Sequence, residues 1–168
     1  MRYFIKVMTE ENWEEVSRIY KEGIDTKIAT FQNKLPTWEE WNKGHLEYCR
    51  FIITDVEAVI GWVALSPTSS RCVYKGVAEL SIYISKNFKG KGLGTILLNK
   101  VIEESERYGI WTLQSSIINE NFGSIKLHEK CGFRKVGIRE KIAKMDNGSW
   151  KDVTLMERRS SKVGLQYN

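Results

Sequence analysis

The chain is poor in the residues that staple or metallate a small protein. It has three cysteines, Cys49, Cys72 and Cys131, widely spaced and with no CxxC pair. An odd, scattered set argues against a disulfide framework and suits a reducing compartment such as the cytoplasm, with the thiols expected as small buried hydrophobes. Only two histidines occur, His45 and His128, and no His/Cys/Asp group has ligand spacing, so no metal is expected. His45 has no motif around it and reads as a surface residue. No apolar run approaches the ~20 residues of a membrane helix, and Met1–Glu10 lacks the apolar stretch of a signal peptide. The two prolines, Pro36 and Pro67, fall where loops are expected, and no repeat, low-complexity tract or linker divides the chain. One domain over residues 1–168 is expected, with a core of about 3–158 and a short C-terminal tail.

The 168 residues are 42% hydrophobic and 28% charged, which suits a folded chain. The formal net charge of +5 fits polyanionic ligands of several kinds, including a phosphate-rich cofactor. With no long basic arm and no zinc-finger spacing, neither nucleic acid nor membrane is expected as a partner.

Hydrophobic periodicity predicts a strand at Tyr3–Val7, then a helix from Thr9 to about Gly23 on Trp13, Val16, Ile19 and Tyr20. Thr37 reads as the cap of a second helix carrying Trp38 and Trp41. Arg50–Asp55 and Ala58–Leu65 read as a hairpin, and Gly76–Ser85 as a further strand. A helix follows from Gly92 to near Gly109, with Leu93, Ile96, Leu97, Val101 and Ile102 assigned to one face. Trp111–Ile117 reads as a strand and Asn121–Cys131 as a helix stopped by Gly132. Phe133–Lys141 and Trp150–Met156 read as strands joined at Asp146-Asn147-Gly148, a strong hairpin signal. The class is α/β or α+β, a sheet with helices packed on it.

The most informative segment is Ile82–Thr95, where a strand ends, Gly90, Gly92 and Gly94 alternate, and a helix begins. Glycines let backbone N–H groups approach a ligand, and a helix N-terminus adds free donors and a positive dipole end, a combination that binds phosphate. Lys89 and Lys91 add charge. A tight strand–helix connection would look the same. Neither GxxxxGK[ST] nor GxGxxG is present, which excludes two other phosphate loops.

Lys89-Gly-Lys-Gly-Leu-Gly94 resembles the Arg/Gln-x-x-Gly-x-Gly/Ala motif of the Gcn5-related N-acetyltransferases, whose loop holds the pyrophosphate of coenzyme A. Lys89 departs from the usual Arg or Gln: it keeps charge but not bidentate geometry. Asn121 to Phe133 resembles that family's Asn-x-x-Ala/Ser-x-x-Leu-Tyr-x-x-x-Gly-Phe segment, with His128 in place of the tyrosine. Thr30-Phe31, Val77–Ile84, Leu127-His128-Glu129 and Gly148–Val153 are similar to the phosphinothricin acetyltransferase branch, and the likeness runs from about Tyr3 to Glu157.

The resemblance implies a mixed, mostly antiparallel central sheet flanked by helices, the acyl-CoA N-acyltransferase fold. It implies acetyl-CoA as co-substrate, held by Ile82, Tyr83, Ile84, Lys89, Gly90, Lys91, Gly92, Leu93, Gly94, Thr95, Asn121 and Lys130. The strand at Ile82–Ile84 would splay from its neighbour, pairing the pantetheine arm through its backbone. It implies a small amino-acid-like amine as acceptor, of the phosphinothricin or methionine sulfoximine or sulfone type. Family members often dimerise, and the terminal hairpin with Trp150 could supply the interface.

Attack on a thioester needs a neutral amine, so a base must remove a proton. Glu79 is the only acidic residue inside the Gly76–Ser85 strand, where a carboxylate is costly unless its surroundings are arranged for it. It also matches the branch's catalytic glutamate. His128 is the second catalytic candidate, placed by the resemblance beside the thioester, where it could deprotonate the amine or protonate the sulfur. Arg71 and Tyr74, in the polar loop 66–75, and Phe31 are expected at the acceptor; Arg71 aligns with a substrate-contacting arginine of the branch. A solvated loop charge and a core phenylalanine are the plain readings of Arg71 and Phe31. Cys72 and Cys131 lack an obvious partner as nucleophiles. Three other functions stay open: acetylation of a protein N-terminus or lysine, non-catalytic acyl-CoA sensing, and nucleic-acid binding.

Overall fold

The structure is a computed structural model and describes residues 2–56 and 58–165. Met1, Glu57 and residues 166–168 lie outside it, so the expected C-terminal tail is described only as far as Leu165.

In chain order the elements are β1 (Phe4–Val7), α1 (Trp13–Asp25), α2 (Trp38–Gly44), β2 (Phe51–Thr54) and β3 (Val59–Pro67). They continue with β4 (Val77–Ile84), α3 (Leu93–Arg107), β5 (Thr112–Ile118), α4 (Phe122–Lys130), β6 (Arg134–Lys144) and β7 (Trp150–Arg159). A 3-10 turn at Glu10–Asn12 precedes α1, so the first expected helix begins as a tighter turn, with Thr9 N–H donating to Asn12 Oδ1 at 2.9 Å. α2 starts on a reciprocal cap: Thr37 Oγ1 accepts from the Glu40 N–H, and Glu40 Oε2 from the Thr37 N–H.

All seven strands form one sheet in the order β1-β2-β3-β4-β5-β7-β6. Every neighbouring pair is antiparallel except β4 and β5, which are parallel. The mixed, mostly antiparallel sheet with flanking helices matches the expected fold. Pro67, expected in a loop, is instead the last residue of β3, opposite Ala78.

Strand alternation divides the core by face. On one face Leu80, Leu113 and Ile117 pack with Leu93, Leu97, Leu98 and Val101 of α3 and Ile125 of α4. On the other, Val16 and Ile19 of α1 and Trp41 of α2 pack on Ile52, Trp62 and Ala64, with Tyr20 and Tyr83 against them. Ile96, assigned to the buried face of α3, is 43% exposed, and Leu98 is buried instead. At about 100° per residue, position 96 falls opposite the arc through 93, 97, 98, 101 and 102.

Two other readings are corrected. His45 is half-buried, its ring stacked on Trp41 at 3.9 Å between centroids with Nδ1 2.6 Å from the Trp41 carbonyl oxygen. Cys72 is exposed, whereas Cys49 and Cys131 are buried as expected. No helix among the described residues is long and apolar enough to cross a membrane.

The parallel pair starts at Gly76, whose carbonyl accepts the Trp111 and Thr112 N–H groups at 2.8 and 3.1 Å. A Cβ on Gly76 would stand 2.0 Å from a carbon in the Trp111 ring. Gly76→Ala must therefore displace the indole, and a loss of about 1–3 kcal/mol is expected, measured as a lower urea midpoint with an unchanged m-value.

Candidate active site

β4 and β5 pair only at Val77–Thr112, Ala78–Leu113 and Glu79–Gln114, although β4 runs on to Ile84 and β5 to Ile118. Beyond Glu79 the two strands diverge, and a cavity of about 590 Å³ opens between them, lined by residues 79–84 of β4 and 115–118 of β5. Glu79 sits where they part. Its Oε1 accepts the Ser116 N–H at 2.9 Å, and its Oε2 accepts Gln114 Nε2–H at 2.8 Å. A side-chain carboxylate thus takes an amide of β5 just past the last strand pair, where β4 supplies no backbone acceptor. The carboxylate is half-buried in the cavity wall, not enclosed in the core.

One end of the cavity is the glycine loop. Gly90 and Gly92 have φ of +77° and +78°, and a Cβ on either would meet nothing within 4 Å. Glycine is needed there for conformation, not space. Gly92 also caps α3, whose first N–H groups have no partner within the helix. Gly94 serves packing instead: a Cβ there would lie 2.9 Å from Leu127, so α3 and α4 approach closely at that point. Lys89, Leu93, Thr95, Asn121 and Lys130 line the same end. Asn121 Oδ1 accepts the Ser124 N–H at 3.3 Å and caps α4.

From the α1 side the cavity is lined by Gly23, Ala29, Thr30 and Phe31, the last 38% exposed. Ile82, Tyr83 and Ile84 all border the cavity, but their side chains divide between the faces. Ile82 and Ile84 pack toward α3, whereas the Tyr83 ring stacks on Trp62 at 4.8 Å, with its hydroxyl donating to the Ala29 carbonyl at 3.4 Å. Burial pushes the Tyr83 phenol well above its ordinary value.

Three expected residues are not brought to the cavity. Arg71 and Tyr74 flank and occupy an exposed 3-10 turn at Cys72–Tyr74, where the Tyr74 N–H bonds to the Arg71 carbonyl. The turn leaves both side chains in solvent, with the guanidinium 5.6 Å from the Tyr74 ring centroid. Lys91 is not a lining residue; its ammonium stands 4.5 Å from the Phe88 ring centroid.

His128 is 1% exposed, on α4. Its Nδ1 lies 2.7 Å from the Ser124 carbonyl oxygen and its Nε2 2.9 Å from Ser115 Oγ. Burial lowers its pKa, partly opposed by the bond to the Ser124 carbonyl. Sequence reasoning missed Ser115, whose only signal is its place between Leu113 and Ile117 in the strand's alternation, because its immediate neighbours Gln114 and Ser116 are polar too. It also missed Glu22 of α1, whose Oε2 accepts the Lys86 N–H at 2.7 Å and fastens the chain ahead of the glycine loop. Glu22 carried no sequence signal beyond its place on a charged helix face. Among the described residues no group of three or more His, Cys, Asp or Glu side chains could hold a metal ion.

His45 and His128 are both shifted down from 6.5, burial being the larger cause in each. Between the depressed folded value and 6.5 the unfolded chain binds more protons, so stability falls as pH drops through that window. Urea midpoints should decrease from pH 7.5 to pH 5.5, and the NMR titration midpoints of both rings should lie below 6.5.

Residues 9–133 match the family described as Acetyltransferase (GNAT) family. Among curated proteins, the chain is 32% identical over 162 residues to the "Putative phosphinothricin acetyltransferase YwnH" of Bacillus subtilis, covering 94% of this chain and 99% of that protein. It is 26% identical over 157 residues to the phosphinothricin N-acetyltransferase of Streptomyces coelicolor, covering 89% and 91%. In fold it superposes on a GNAT superfamily phosphinothricin acetyltransferase from Sinorhizobium meliloti, solved in complex with acetyl-CoA. The TM-score is 0.87, with 24% identity and coverage of 99% and 93%. A split sheet, a glycine loop at a helix N-terminus and these similarities agree: the chain belongs to the acetyltransferase (GNAT) family.

Proposed function

We propose that the chain acetylates the amino group of a small amino-acid-like molecule, of the phosphinothricin or methionine sulfoximine or sulfone type, using acetyl-CoA. The observation that carries this reading is Glu79, a carboxylate held by two donors where β4 and β5 part, inside a cavity that reaches from the glycine loop to Phe31.

The residues present suit acetyl-CoA. Gly90 and Gly92 hold left-handed backbone before a helix N-terminus, and Lys89 and Lys130 add positive charge along the same wall. The bound co-substrate supplies an acetyl thioester. The splayed edge of β4 from Leu80 to Ile84 offers backbone groups to an extended arm, and Asn121 borders that channel. On the α1 face Glu79 takes the first proton of the amine, and the neutral nitrogen attacks directly, with no acyl-enzyme. Phe31 forms an apolar wall of the acceptor end. Arg71, Tyr74 and Lys91 stand outside the cavity and are given no contact in this reading.

The whole chain serves as one catalytic domain. Val136, Ile138 and Trp150 are exposed on the terminal hairpin, the surface a homodimer through that hairpin would cover. The three free thiols support a cytoplasmic setting.

Thiol release from acetyl-CoA, measured against a panel of amino-acid analogues and simple amines, tests the reaction. Turnover is expected with an amino-acid-like amine, and Glu79→Gln should lower kcat by about 10²- to 10⁴-fold with acetyl-CoA still bound. Acetyl-CoA binding without turnover on any amine would overturn the small-amine reading. Gly92→Ala places a side chain at φ +78°, which costs roughly 1–2 kcal/mol. Its Kd for acetyl-CoA, read by calorimetry, should rise about tenfold, while Gly44→Ala, with open space at its Cβ position and away from the cavity, serves as the control.

A further inference from the structure

The two proton-handling groups of the cavity lie on opposite faces of the sheet. Glu79 shares its face with Tyr83, four residues on, and so faces α1. Ser115 lies between Leu113 and Ile117 on the face that packs against α3 and α4, and His128 meets it there from α4. Acetylating a protonated amine removes two protons from nitrogen, one before attack and one as the C–N bond forms, and delivers one to sulfur as the C–S bond breaks. Glu79 answers for the first; the second still needs a carrier.

The hydrogen bonds of His128 determine what it can carry. The Ser124 carbonyl only accepts, so Nδ1 holds a proton and donates it along the 2.7 Å contact. In the neutral ring Nε2 is then a bare acceptor, and the hydroxyl 2.9 Å away, Ser115, donates to it. The lowered pKa of the buried ring agrees with that neutral form. His128 and Ser115 both line the cavity, and the pair can take up one proton: Nε2 gains the Ser115 hydroxyl hydrogen while Oγ gains another from the cavity.

We propose that Ser115 is the proton-transfer group of the α4 face and that His128 acts through it. As the C–N bond forms, the second amine proton passes to Ser115 Oγ while the Ser115 hydroxyl proton passes to His128 Nε2. As the C–S bond breaks, both transfers reverse and the proton reaches sulfur, which leaves both residues as they began. This rests on the acetyl-transfer reading above and assigns His128 a positioning and proton-storing role in place of direct contact with the reacting atoms.

The test combines ¹⁵N NMR of the His128 ring, which needs no turnover, with kinetics of Ser115→Ala. Ser115→Cys, nearly isosteric, replaces it if the alanine variant fails to fold by near-UV circular dichroism. Wild type is expected as the Nδ1–H tautomer. The variant should lose about a hundredfold or more in kcat, with KM for both substrates and Kd for coenzyme A within about threefold, and Ser115→Thr should recover most of the rate. An Nε2–H tautomer, a kcat within about threefold of wild type, or a loss of coenzyme A affinity that accounts for the whole effect overturns the proposal. Wild-type protein without turnover on any amine overturns the acetyl-transfer reading, and the NMR result stands apart from that failure.

Discussion

The site depends on one exchange of hydrogen-bond partners. Past Gln114 the amide of Ser116 has no backbone partner on β4, and the Glu79 carboxylate takes the place of a backbone carbonyl. Backbone amides at the point where strands separate still need an acceptor, and Ser116, which is exposed, could take it from water or from a side chain. Here a functional side chain meets that need. The same bond leaves the carboxylate half-buried, directed and beside open space, so the contact that succeeds the last strand pair also places the candidate base.

The geometry of the split then sorts the chemistry. Because side chains alternate along each strand, β4 directs Glu79 and Tyr83 to one face and Leu80 and Ile82 to the other, and β5 sends Ser115 toward α4. A molecule in the gap is reached from both faces at once. The glycine loop lies at the far end of the same gap, and the contact of Gly94 with Leu127 locks the helix that begins at that loop against the helix that carries His128.

How much of this was legible in the sequence follows from the range of each interaction. The helix starts at Thr37 and Gly92, the hairpin at Asn147-Gly148 and the left-handed glycines depend on neighbours a few residues away, and the sequence pattern placed them well. Ile96 is apolar yet lies on the outer side of α3, because burial depends on the angle around the helix as well as on hydrophobicity. His45 carries no motif of its own, and its half-buried place comes from stacking on Trp41 a helical turn back, at a helix end that the sequence pattern leaves open. Arg71 shows a different limit: a resemblance transfers a position along the chain, whereas the direction of a side chain depends on how the loop folds. Glu79 was identified as a residue, but its partners Gln114 and Ser116 lie 35 and 37 positions away and come together only through the sheet.

The bond from Lys86 N–H to Glu22 has a corollary for binding. α1 borders the end of the cavity near Gly23, and Glu22 ties that helix to the residues leading into the glycine loop. The acceptor-side residues of α1 and the glycine loop therefore share a mechanical joint, through which occupancy of one would be felt at the other. Linkage makes any such effect mutual: whatever factor the first ligand applies to the affinity of the second, the second returns to the first. Weakening the Glu22 contacts with Ser85 and Lys86, on the rim of the site, would then loosen that mutual dependence from both directions alike.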